Sequence, residues 1–429
     1  MGMIIYLFQA IYRTISDLVT YIFIQIDKVL KYDKKIDYFI ATLFLLTSGS
    51  VCWISALRPA GAYIFLLLVA VINVLRKKRK LNKSWHFILI VVVMCLINAI
   101  TLQRKYEDNS MLGYIVCITA AYLIISQYEF NYFVKLLTNV LVVILVIGIP
   151  IYLLCSFGII PYHLVYTIRG PSLLCGYIFT YGLLYPFGRF AGIWHEPGAC
   201  QIILNAILWL NYKKIQNWDL SKHDKIKFTI IIIGILLTQS TGGYLVFLTF
   251  LLAIGFTTKI RNRHRIIIYL FLCFSMICTV ILLYNNDVIQ KKLFVESSQE
   301  SLSKRTRTED AVSLIKTAND YPIIGAGIGT DLLFMTSKDY GNISSSSGLL
   351  HFTASLGYPW LVLFLIFCFL RIKNMDIGMA SWFLFASIIM LEANENYIEY
   401  PITSLFIFKF HSYNYKLYTK GINTRKIIL

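Results

Sequence analysis

Residues 136 to 156 pass without one charged side chain, and apolar stretches of the same kind recur from residue 37 to residue 410. A helix rises about 1.5 Å per residue, so roughly 20 apolar residues cross a hydrocarbon core of about 30 Å. Composition agrees, since only 14% of the 429 residues are charged, against about a quarter in soluble proteins. Mean hydropathy is +0.67. The expected fold class is all-α, a polytopic integral membrane protein.

The runs predict about twelve transmembrane helices, at 37–57, 60–75, 85–102, 111–127, 136–156, 198–212, 228–240, 242–257, 266–284, 348–370, 377–391 and 401–410. Together they make a single membrane domain over 37–429. Ahead of it, Ile4, Leu7, Ile11, Ile15, Leu18, Ile22 and Ile26 recur at helical spacing, while Arg13 and Asp17 interrupt them. Residues 1–36 are therefore read as an amphipathic helix lying in the membrane interface, with a thirteenth span as the alternative. No basic n-region precedes the apolar run, so a cleaved signal peptide is not expected.

Orientation follows from lysine and arginine in the short loops. With both termini cytoplasmic, the inner side holds 28 basic and 8 acidic residues, a net of +20, and the outer side holds 12 and 14, a net of −2. The formal charge of +18 is thus topology, and nucleic acid is not an expected partner. The outer side then carries the loops 157–197, 285–347 and 392–400. The second is too long for a connector, and its stretch from Thr308 to Thr317 reads as a short helix. Nine cysteines without a C-x-x-C pair and seven scattered histidines give no disulfide framework and no metal site. No cofactor is called for.

Arginine is over-represented outside, where it stands level with lysine at six each, against eight and twenty inside. Its planar donor fork matches phosphate oxygens two at a time. The densest outer motif is Arg189-Phe-Ala-Gly-Ile-Trp-His195-Glu196-Pro-Gly-Ala199. Pro197 suits a first helical turn, which puts Glu196 at the N-cap beside an interfacial Trp194. The residues read either as a simple cap or as a carboxylate and an arginine fixed at the outer surface for substrate work.

Three further features share that side. Thr238-Gln-Ser-Thr241-Gly242-Gly-Tyr244 joins two spans by a turn so tight that only small residues let the backbone reverse or approach a ligand. Ser303-Lys-Arg305-Thr-Arg307 opens the expected loop helix, either as solvated charge or as an anion site at a helix N-terminus. Asp320-Tyr-Pro-Ile-Ile-Gly325-Ala-Gly327-Ile-Gly329 lacks the G-x-G-x-x-G spacing of a nucleotide site and reads as a re-entrant turn. His351 heads the tenth span and can titrate near neutral pH. Glu392, Glu395 and Glu399 form an acidic patch in the last outer loop.

In this order, Arg-x6-Glu-Pro-Gly, a Ser-Thr-Gly hairpin, Arg-x-Arg in a large outer loop, Pro-Ile-Ile-Gly-x-Gly and a histidine at the head of the next span resemble the O-antigen polymerase and ligase superfamily. The resemblance covers roughly residues 180 to 370. It implies a glycosyltransferase at the outer face of the bacterial inner (cytoplasmic) membrane, inverting and metal-independent. Its substrate would be an undecaprenyl-pyrophosphate-linked oligosaccharide in the bilayer, with a chain-length regulator as partner. By the same resemblance His351 and Glu196 are the catalytic candidates, and Arg189, Arg305 and Arg307 would bind pyrophosphate. His195, Thr241 and Gly242 would position substrate. The chain departs from many relatives in having Ser240-Thr241-Gly242 where they carry a hairpin arginine. A polymerase of polysaccharide repeat units is the favoured reading, an O-antigen ligase the rival, and a lipid-linked sugar flippase the alternative from another class.

Overall fold

The computed structural model describes residues 32–101, 110–167, 170–175, 179–182, 188–217, 220–257, 301–327 and 347–411. The expected N-terminal interfacial helix, apart from its last residues, the span at 266–284 and most of the loop 285–347 lie outside the described residues. Thirteen α-helices are found among those described, and one, α5 (Phe130–Ser156), is long and apolar enough to cross a membrane by itself. Before it come α1 (Tyr32–Thr47), α2 (Val51–Lys77), α3 (Trp85–Thr101) and α4 (Ser110–Ser126). Leu68 and Ile72 of α2, Val93 and Ile100 of α3, and Val143 and Val146 of α5 are exposed. Water would penalise such a belt, whereas lipid matches it. The bundle is that of a helical membrane protein.

The first break does not fall at 58–59 as predicted. One helix runs from Val51 through Pro59 to Lys77, and the chain turns instead at Ser48-Gly49-Ser50, where Gly49 has φ +88°. A left-handed backbone suits glycine, and the space a Cβ would need there is filled by the Tyr397 hydroxyl. At the other end of α1, Asp37 pairs with Arg76 and Lys77 and accepts hydrogen bonds from Tyr128 (2.7 Å) and Tyr132 (2.9 Å). A buried carboxylate needs such partners, and here they tie α1, α2, α4 and α5 together.

The predicted outer loop 157–197 contains an antiparallel meander, so the chain is not purely α. Its strands are β1 (Tyr162–Thr167), β2 (Gly170–Cys175), β3 (Phe179–Gly182) and β4 (Arg189–Phe190), in that spatial order. Gly148 of α5 makes room for the ring of Phe179, and Phe190 meets Tyr152 edge-on at 5.4 Å. The sheet is thereby seated on the end of α5.

Next come α6 (Pro197–Leu210), the short α7 (Tyr212–Gln216), α8 (Lys222–Thr238) and α9 (Thr241–Thr257). A capping box starts α8: Ser221 Oγ accepts from the Asp224 amide, and Asp224 Oδ2 accepts from the Ser221 amide, both at 3.2 Å. The expected loop helix is longer than predicted, α10 spanning Ser301–Asp320. The predicted span 348–370 is two helices, α11 (Gly348–Leu356) and α12 (Tyr358–Lys373), broken at Gly357 with φ +82°. The last helix is α13 (Ala380–Asn394).

The predicted helix at 401–410 is a different object. From Tyr397, whose hydroxyl donates to Ser48 O, the chain passes to Lys409, whose amide donates to Ser84 Oγ. Only Thr403–Phe406 is helical, as a single 3-10 turn. The segment is buried, with Phe408 against Phe87 and Tyr122. Irregular backbone at membrane depth is tolerated only inside protein, and i to i+3 bonds such as Ser404 N to Pro401 O and Leu405 N to Ile402 O satisfy it locally.

Candidate functional site

The end of the bundle opposite Asp37 gathers four segments that are far apart in the chain. The Ser48 to Ser50 turn pairs with Ile193 and Trp194, through Val51 N to Ile193 O at 2.9 Å and a β-bridge between Ser50 and Trp194. Trp194 is 0% exposed and so is a core anchor, not the interfacial residue expected. Its depth fixes where the next two residues emerge.

His195 Nδ1 lies 3.2 Å from Gly49 O, its Nε2 lies 2.9 Å from Glu196 Oε1, and its ring is parallel to that of Tyr397 with centroids 6.3 Å apart. A carbonyl only accepts, so Nδ1 donates to Gly49. The contact at Nε2 holds the Glu196 carboxylate against the ring. Glu196 does occupy the N-cap of α6 with Pro197 after it, but its side chain makes no capping bond and is 44% exposed. The expected cap therefore holds for position and fails for chemistry, because His195 takes the carboxylate.

The carboxylate that crowds the start of α6 belongs to Glu395. A Cβ on Gly198 would collide with it, and one on Gly242 would come within 2.9 Å of the Asn394 side chain. At the head of α11, the Gly348 amide donates to Glu395 O at 3.2 Å, and a Cβ there would meet Asn396 Cα and Glu395 O at 3.0 Å. Three of the predicted motifs thus close on Asn394-Glu395-Asn396. The sequence marks Glu395 only as part of an acidic patch, and Glu392 does not belong to that patch. It is 3% exposed inside the bundle and accepts from Thr403 Oγ1 at 2.7 Å.

Arg189 donates from Nε to the carbonyl of Thr238 (3.0 Å), the last residue of α8. A cation there complements the negative end of the helix dipole, and it ties β4 to the hairpin. Thr241 opens α9, and Gly243 lies against Gln201 of α6, so the hairpin has no room for larger residues. Arg305 and Arg307 stand in the second turn of α10, so the motif opens the helix as expected. Their side chains lie outside the described residues.

Helix α10 packs on α11 through Leu314, Ala354 and Leu350. His351 lies one turn beyond Gly348, and its Nδ1 is buried without a hydrogen bond. The glycine-rich stretch is structural. Gly325 lies against the backbone of Ser355 and Leu356, Gly357 against that of Ile323, and Ala326 N and Gly327 N donate to Ala354 O and Ser355 O at 2.7 and 2.9 Å. Asn98 of α3 donates to Ile324 O at 2.9 Å in the same place. These bonds take up carbonyls released by the helix break.

Residues 227–365 match the family described as O-antigen ligase. No curated protein matches the chain. The matched segment takes in the hairpin, the glycine-rich turn and His351, while Arg189 and Glu196 precede it. It agrees with the resemblance to the O-antigen polymerase and ligase superfamily and supports a lipid-linked glycan enzyme of that general kind.

Proposed function

We propose that this protein is a polysaccharide repeat-unit polymerase, moving a glycan from undecaprenyl pyrophosphate onto another lipid-linked repeat unit at the outer face of the bacterial cytoplasmic membrane. The observation that carries the reading is the closure of the Glu196-Pro-Gly motif, the Thr241-Gly242 hairpin and the head of α11 on Asn394-Glu395-Asn396. The acceptor hydroxyl attacks the anomeric carbon, the bond from that carbon to the pyrophosphate oxygen breaks, and the hydroxyl proton passes to a base. A single displacement of this kind inverts the anomeric centre. Charge grows on the leaving pyrophosphate, and fixed cations stabilise it most; Arg189, Arg305 and Arg307 are assigned that work without a metal. His351, whose Nδ1 makes no hydrogen bond, is assigned as the base. Glu196, oriented by His195, holds the acceptor sugar.

A ligase, which would transfer the finished glycan to a lipid A core, is the second reading, favoured by the description of the matching family. Deleting the gene and running the surface polysaccharide on a gel separates the two. Loss of a polymerase leaves single repeat units on the anchor, whereas loss of a ligase leaves the anchor bare and polymer on the carrier. Unpolymerised units trapped inside would point to a flippase, and an unchanged ladder would refute the assignment.

A further inference from the structure

The end of the bundle opposite the Glu395 junction holds a cavity of about 1090 Å³. Among the described residues, six lysines and Arg371 line it against one carboxylate, Asp224, and one of the lysines, Lys213, pairs with Asp376 at 3.3 Å. The Asp224 carboxylate is already engaged by Lys214 at 2.9 Å and by Ser221 Oγ at 2.6 Å. The rest of the lining mixes amide side chains with apolar ones such as Val134, Leu210 and Phe228. Cations gathered in this excess repel one another, so a counter-charge is expected among them.

Arg371 shows where. The residue is 5% exposed, its guanidinium carbon lies 5.1 Å from the ring centroids of both Phe130 and Phe410, and Nε and Nη2 make no hydrogen bond. Both rings also line the cavity. Two aromatic faces offset part of the cost of burying the charge, but they leave the Nε and Nη2 donors without a partner. A planar fork with unpaired nitrogens matches the oxygens of a phosphate, and the lysines at the rim supply further charge.

We propose that this cavity binds a phosphate-bearing anion, a phospholipid headgroup or a soluble diphosphate, with the Arg371 guanidinium as its deepest contact. The site is separate from the glycosyltransfer junction and does not depend on the function assigned to it. Apolar side chains beside the cations suit the glycerol and first methylenes of a lipid, and basic pockets between membrane helices are suited to such headgroups.

The test uses the full chain in phosphatidylcholine nanodiscs, with phosphatidylglycerol added to the discs in one arm and inorganic pyrophosphate added to the buffer in the other, and reads the thermal midpoint. A rise with phosphatidylglycerol that Arg371→Met abolishes identifies a lipid site; a rise with pyrophosphate that the same variant abolishes identifies a soluble anion. Since Arg371 is buried and its loss can unfold the protein, the exposed pair Lys80→Gln and Lys135→Gln is the second variant. Each removed lysine is expected to raise the half-saturating amount of the effective probe about fivefold. No rise with either probe, or a double variant that titrates like the parent, overturns the proposal.

Discussion

The Glu395 carboxylate lies against the α-carbon of Gly198, in the space that any side chain at position 198 would occupy. One residue is the second of α6 and the other directly follows α13, so this contact joins two helices nearly 200 positions apart in the chain. Gly198 is therefore selected by its neighbour and not by backbone freedom.

Gly198→Ala is expected to cost about 1 to 3 kcal/mol of stability, the usual cost of overpacking. Replacing Glu395 by alanine in the same protein should restore most of that loss, because it removes the atoms in the way. Thermal midpoints of the two single variants and the double variant form a cycle that isolates the contact. Additive losses would show that the carboxylate does not occupy that space.

Asn98→Leu is expected to cost about 1 to 3 kcal/mol, since its buried amide serves the carbonyls of Ile324 and Gly325 beside the helix break. Gly357→Ala strikes the same joint from the other side, where Ile323 O stands in the way of a Cβ. Both should lower the unfolding midpoint measured in detergent. If Asn98→Leu left it unchanged, the helix break would be held by the glycine turn alone.

Much of this architecture was legible in hydropathy, for a definable reason. Helices α3 to α6, α8 and α9 bury or expose apolar side chains nearly all round, so a run of Val, Ile and Leu marks them within a few residues of their ends. Gly357 was not legible as a break, because a glycine inside an apolar run looks like any other small residue until the backbone of Ile323 is known to lie against it. The segment 401–410 was legible as apolar and not in its conformation. The Glu395 junction was the least accessible, since Gly198, Gly242 and Gly348 mark it only by lacking side chains. The cluster of polar residues at Glu392-Ala-Asn-Glu-Asn396 between two apolar stretches was the available signal.

The start of α8 is expected to weaken in acid. Partial burial pushes the Asp224 carboxyl up, but hydrogen bonds from Ser221 and Lys214 and the Lys214 charge outweigh that and bring it down to about 2. A carboxyl lowered from an unfolded value of about 3.9 adds stability above that value and loses it as pH falls toward 2. Unfolding midpoints followed from pH 5 to pH 2 should therefore fall more steeply for the parent than for Asp224→Asn. Parallel curves would mean that the capping box makes no net electrostatic contribution.

His351 and Glu196 make opposite predictions for the proton that leaves the acceptor hydroxyl. With His351 as base, His351→Ala should reduce polymerisation by about 10² to 10⁴, the usual contribution of a general base. Glu196→Gln should chiefly raise KM, because an amide still reaches the sugar while losing the carboxylate's contact with His195. Turnover of purified lipid-linked repeat units by each variant, against pH, reads both effects. Full polymer length from His351→Ala together with none from Glu196→Gln would move the base to the His195 and Glu196 pair, where the Gly49 carbonyl already fixes the ring.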